Sequence, residues 1–256
     1  MTRVVPDPVG PGTVYDVWLK AHNGDTTALT FGNLGGGSDF SGFYHHLGIP
    51  AGGIGFDGPD GIYHSMYDSY DWMTRFGDPA YKTHRAGAQL VAVIMSRLAN
   101  SELLPLDYAA FGTEMNGLVA QLDSGIAKKQ WTQAVSTQTL KDALDRFTAV
   151  ARAFGAERDS VARGAVDSAR AQRVNQALMQ VERRLTRPNG LVSRPWFRSL
   201  QFAADVDNGY ATMAFPTVNE AIRYADAAAA TRELGDLVNR IDQARAALVE
   251  AAAALR

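Results

Sequence analysis

The stretch Thr139-Leu-Lys-Asp-Ala-Leu-Asp-Arg-Phe-Thr-Ala-Val-Ala-Arg-Ala-Phe154 decides the fold class of the second half of this chain. Leu140, Ala143, Leu144, Phe147, Val150, Ala151 and Phe154 recur at three- and four-residue steps, which gathers them on one face of a helix. Thr139 and Asp142 are spaced like a capping box at its start. Working outward, the same period returns three times. Met115, Leu118, Val119, Leu122 and Ile126 form a stripe before it, and Val174, Ala177, Leu178, Val181 and Leu185 form one after it, ended by Arg187-Pro-Asn-Gly190. Leu234, Leu237, Val238, Ile241, Ala244 and Leu248 complete the set. Four such helices predict a bundle. The connection over residues 191–215 is aromatic-rich and longer than a bundle needs, and long ordered loops tend to be functional.

Before Asp107 the character changes: glycine is dense and the helical segments are short. Residues 13–20 read as a short helix followed by a polar loop. Ser38 or Asp39 suits the cap of a helix running towards Leu47. Residues 49–56 have the composition of a strand broken by glycines, and the turn after it holds Asp57 and Asp60. Residues 67–76 read as helical, and Asp78-Pro79 separates them from a longer helix over 81–99 that places Leu90, Val93, Ile94 and Leu98 on one side.

Composition excludes several functions. With 256 residues and 46% hydrophobic content, the chain can bury a real core as one large or two small domains. Its net charge of −2 and lack of a basic stripe argue against nucleic-acid binding. There is no cysteine, so disulfides, thiolate nucleophiles and thiolate metal sites are ruled out, and any metal must be held by His and carboxylate. The first residues lack the apolar run of a secretory signal, and no segment is long and apolar enough to span a bilayer. His45 and His46 are adjacent on an expected helix and diverge, which predicts a solvated face rather than a metal pair. His84 is expected to be structural.

The chemistry concentrates around Gly61-Ile-Tyr-His-Ser-Met-Tyr-Asp68. On residue type alone His64, set among aromatics, suits a packed core as well as a metal. The motif resembles the Tyr-His-Ser/Thr signature of the glutamate carboxypeptidase and transferrin receptor family. Asn33-Leu-Gly-Gly-Gly-Ser-Asp-Phe40 is similar to that family's glycine-rich substrate loop, Leu104-Pro-Leu-Asp-Tyr108 resembles the junction into its dimerisation domain, and Pro195-Trp-Phe-Arg198 with Asn208-Gly-Tyr-Ala211 resembles the loop closing over the active site.

The resemblance implies a mostly α chain: residues 1–107 as the C-terminal remnant of an α/β zinc-exopeptidase domain, and 108–256 as a four-helix-bundle-like dimerisation domain. It implies that His64 is a zinc ligand, a role neutral imidazole suits. Tyr63 would steady a developing oxyanion, Gly36, Gly37 and Ser38 would face the substrate, and Tyr210 would reach its terminal carboxylate. Asp68 would orient His64 or help start the following helix.

Two departures qualify this. Members that grip an acidic side chain carry arginines where Gly53 and Gly55 stand, and a lysine where Gly209 stands. Without that cationic clamp, bidentate carboxylate recognition is lost, so a broader carboxypeptidase or aminopeptidase is expected. The other zinc ligands of the family precede the glycine-rich loop. Only 32 residues do so here, none of them Glu, and His22 and Asp25 do not match the ligand motif. A two-zinc centre with metals about 3.5–4 Å apart needs more donors than that. The expectation is therefore an enzyme fragment that contributes one ligand, holds at most one weak zinc site and is inactive alone. Its expected partners are a second copy of itself, a peptide substrate, and a chain carrying the missing ligands. The alternative is a non-catalytic, homodimerising or receptor-like module.

Overall fold

The computed structural model describes residues 2–56, 58 and 60–256, so the turn residue Asp57 lies outside the described residues. The described chain is mostly helical and separates into two compact units, Met1–Gly32 with Gly53–Ser101, and Asn33–Gly52 with Glu102–Arg256.

The first unit is small. Helix α1 (Val14–Ala21) falls where a short helix is expected, and it opens on a complete capping box: the Thr13 hydroxyl accepts from the Asp16 N–H while the Asp16 carboxylate accepts from the Thr13 N–H. A single helical turn, α2 (Tyr70–Trp72), starts on the Ser69 hydroxyl, which accepts from the Trp72 N–H, and runs on as a π-helical turn over Met73–Gly77. Asp78 then caps α3 (Lys82–Ala99), its carboxylate accepting from the Lys82 and His84 N–H groups and from the His84 ring. His84 is thus structural, as expected. Val5, Val14, Ala86 and Leu90 make the buried core of this unit, with Val93 and Ile94 against it. Leu98 lies on the exposed side instead.

Residues 49–56 form no strand. Pro50 and the glycines at 52, 53 and 55 weaken extended pairing, and no neighbouring strand takes up their backbone groups among the described residues.

The second unit is the bundle. It comprises α4 (Tyr108–Lys128), α5 (Gln138–Val161), α6 (Ser168–Arg184), α7 (Pro216–Tyr224) and α8 (Ala227–Leu255). Helix α8 packs along α5, α6 and α7, and α4 packs on α5. All four stripes face inward: Val119, Leu122, Leu140, Val174, Leu178 and Leu248 are fully buried, each contributing about 1.5–3 kcal/mol of transfer free energy. The capping box expected at Thr139 and Asp142 does not form. Helix α5 begins two residues earlier, with Thr137 at its N-cap position; the Thr137 hydroxyl donates to Asp123 on α4, and Asp142 accepts from the Gln138 side chain.

The long connection holds more order than its sequence suggests. Strands β1 (Phe202–Ala204) and β2 (Thr212–Ala214) pair antiparallel with Ala203 opposite Met213, and Pro216 opens α7. Arg194 ties the connection down, donating to the Ala204 carbonyl (2.8 Å) and to the buried Glu220 of α7.

Candidate functional site

The glycine-rich segment and the hairpin loop that carries Tyr210 belong to the second unit and lie backbone against backbone. The Gly36 N–H donates to the Tyr210 carbonyl (3.2 Å), the Thr212 hydroxyl to the Asn33 carbonyl (2.9 Å), and the Asn33 amide to Glu114 (3.1 Å). Glycine is required by this approach. A Cβ on Gly36 would stand 2.0 Å from the Gly209 carbonyl oxygen, and one on Gly37 would stand 2.7 Å from the Tyr210 ring, where φ is also +77°. Ser38 is exposed at the end of the segment, with its carbonyl accepting from the Ser41 N–H. Gly36, Gly37, Ser38 and Tyr210 are therefore brought into one platform.

His45 underpins it, against the expectation of a solvated face. Residues Gly42–His46 form a π-helical turn rather than an α-helix, and its wider spacing turns His45 inward. The ring is fully buried, 5.5 Å from Phe40 and 5.6 Å from Phe197, with Nε2 at 3.1 Å from the Leu34 carbonyl. Burial pushes its pKa below the usual value, so the neutral ring donates through Nε2. Its own carbonyl accepts from the Arg198 and Ser199 N–H groups. His46 is only half-buried and meets the Trp196 carbonyl at 2.7 Å. The Phe40 and Tyr44 flanks were the only hint in the sequence, since α-helical spacing assigns His45 the wrong direction.

Tyr63 and His64 belong to the first unit. Their rings stack with centroids 4.0 Å apart, and both side chains are exposed. His64 holds a left-handed backbone at φ 61°, an uncommon state for a residue with a Cβ that recurs at functional turns. Ser69, rather than Asp68, caps the following helix. His22 and Asp25 serve local structure, His22 at the Trp18 carbonyl and Asp25 accepting from the Thr27 N–H and hydroxyl.

Among the described residues no group of three or more His, Asp or Glu side chains is close enough to hold a metal ion. The donors among the described residues therefore do not by themselves fit a two-zinc centre. Gly53 and Gly55 have no atom near where a Cβ would stand, so packing does not impose glycine there. Gly209 is equally open but sits at φ +76°.

The transferrin receptor-like dimerisation domain family matches residues 135–249. A probable glutamate carboxypeptidase, LAMP1 of Arabidopsis thaliana, is 30% identical over 211 residues, which is 82% of this chain and 29% of that protein. A probable glutamate carboxypeptidase of Arthroderma benhamiae is 31% identical, with the same two coverages. The aminopeptidase NAALADL1 of Mus musculus is 25% identical over 98% of this chain and 36% of its own length. The chain thus spans about a third or less of these relatives.

Proposed function

This chain is a glutamate carboxypeptidase-like family member carrying a transferrin receptor-like dimerisation domain, and from that premise we propose that it supplies the substrate-side half of a zinc peptidase site. Residues 1–107 are the partial peptidase domain, with His64 as one zinc ligand and Tyr63 beside the scissile bond. Gly36, Gly37, Ser38 and Tyr210 form the surface that receives the peptide's C-terminal end. Residues 108–256 pair with a second copy. Zinc, when bound by a complete set of donors, would activate water and polarise the scissile carbonyl. Substrates with a non-acidic terminal residue are favoured, because Gly53, Gly55 and Gly209 offer no cation.

The observation that supports this reading most is the fit of three successive glycines beneath the hairpin loop, which leaves Tyr210 57% exposed on a rigid base. The ungathered donors favour a second reading for the chain taken alone: a homodimerising interaction module without catalysis. Zinc calorimetry on the chelator-stripped chain separates them, with His64→Ala in parallel. One weak, His64-dependent site is expected, and peptidase activity should appear only when a chain carrying the missing ligands is added. Two tight sites would refute the incomplete centre. Complete indifference of zinc binding to His64→Ala would remove His64 from the ligand set.

A further inference from the structure

The hairpin loop over residues 205–211 is braced from inside and from outside. Inside, the Asp205 carboxylate accepts from the Asp207 and Asn208 N–H groups, and the Asn208 side chain accepts from the Tyr210 and Ala211 N–H groups. These bonds fix the shape of the loop but not its position over the glycines.

Position comes from the Gly36–Tyr210 and Thr212–Asn33 bonds on one side and from α7 on the other. The Arg223 guanidinium donates to Asp205 (2.9 Å) and Asp207 (3.3 Å), and the neighbouring Tyr224 hydroxyl donates to Asp207 (2.5 Å). Arg223 and Tyr224 lie on the last turn of a helix whose other face is buried through Val218, Ala221 and Ile222. The loop is thus held from a rigid element. Burial alone would raise the Asp205 carboxyl, yet the Asp207 N–H and Arg223 outweigh it and hold it below the usual range.

We infer that Arg223 is a positioning residue, which through Asp205 and Asp207 holds the Tyr210 ring over Gly37 before any substrate arrives. The inference rests on Tyr210 being a substrate-side residue. It assigns a functional consequence to an ion pair that would otherwise count as a surface contact of little worth. A loop held ready avoids the ordering entropy that a free loop loses on binding.

The test uses this chain with 3-fluorotyrosine at position 210, together with amide exchange at Gly36, whose N–H bonds the Tyr210 carbonyl. In Arg223→Gln, Gly36 exchange should quicken about tenfold or more, as loss of charge-assisted hydrogen bonds implies. The fluorine resonance should move towards that of a solvated tyrosine, while the bundle's thermal midpoint stays put. Arg223→Lys, which keeps the charge, should recover much of both signals. Tyr224→Phe should give a smaller change of the same sign.

Unchanged fluorine shift and Gly36 exchange in Arg223→Gln overturns the inference. So does a loss of signal that tracks a fall in the thermal midpoint, because Arg223 would then merely support the fold. The reading of Tyr210 fails separately if Tyr210→Phe leaves the affinity for a simple C-terminal dipeptide unchanged in the zinc-loaded, complemented protein.

Discussion

Glu182 offers the sharpest test of the bundle's energetics. It projects from α6 into the core, 8% exposed, and accepts one hydrogen bond, from the Gln201 amide at 2.7 Å. Gln201 in turn accepts from the Tyr44 hydroxyl at 2.8 Å. Burial raises the Glu182 carboxyl from 4.5 to about 7, and the Gln201 bond offsets only part of that. In the unfolded chain the carboxyl ionises near 4.5, whereas in the folded chain it keeps its proton until about 7. Folding stability linked to this group is therefore fully present below pH 4.5, falls as pH rises from 4.5 to 7, and stays low above that. At about 1.4 kcal/mol per pH unit, the loss is about 3 kcal/mol. Glu182→Gln removes the charge and keeps the shape, and its carbonyl oxygen can accept from the Gln201 amide as the carboxylate does, leaving the Tyr44 bond intact. The expected gain is about 1–3 kcal/mol at pH 8 and near zero at pH 4.5. Urea unfolding of both proteins across this range measures the difference. Taking the difference cancels the other carboxylates, such as Asp78, Asp123 and Asp205, which their hydrogen bonds hold below the usual carboxylate range. A variant destabilised equally at every pH would refute the reasoning, as would a difference that grows towards acid.

Other outcomes follow from the same structure. Arg194→Met leaves the 8% exposed Glu220 without its ion-pair partner and with only the Ser193 hydroxyl donating to it, so a loss of about 3–5 kcal/mol in urea unfolding is expected; adding Glu220→Leu should restore most of it. Gly36→Ala should lift the glycine segment off the hairpin and abolish protection of the Gly36 position, because its Cβ has no room beside the Gly209 carbonyl. Gly117→Ala on α4, where nothing stands near the new methyl, should instead stabilise by about 0.5–1 kcal/mol. Light scattering should show concentration-dependent pairing through the bundle, and a monomer throughout would count against self-association.

The bundle was legible because helical period and burial are the same physical fact. Leu140, Phe147, Val174, Leu178, Leu237 and Leu248 repeat every three or four residues, and the side chains that repeat are the ones the helices bury. The short helix over 13–20 was legible for a similar reason, since its bonds are local, although its Thr13–Asp16 cap emerged only from the structure. Identity, too, was written in short motifs such as Tyr63-His64 and Asn33-Leu-Gly-Gly-Gly37. What the sequence could not decide depends on contacts between distant segments or on backbone geometry outside the common periods. The hairpin at 202–214 pairs strands of three residues each, too short to show alternation. His45 turns inward because its helical turn is π rather than α. The three glycines look flexible in sequence, and only the approach of Gly209 and Tyr210, more than 170 residues away, shows that they are there to let two backbones touch. Arg223 gave no signal at all, because a lone surface arginine acquires a role only when the fold brings Asp205 and Asp207 to it.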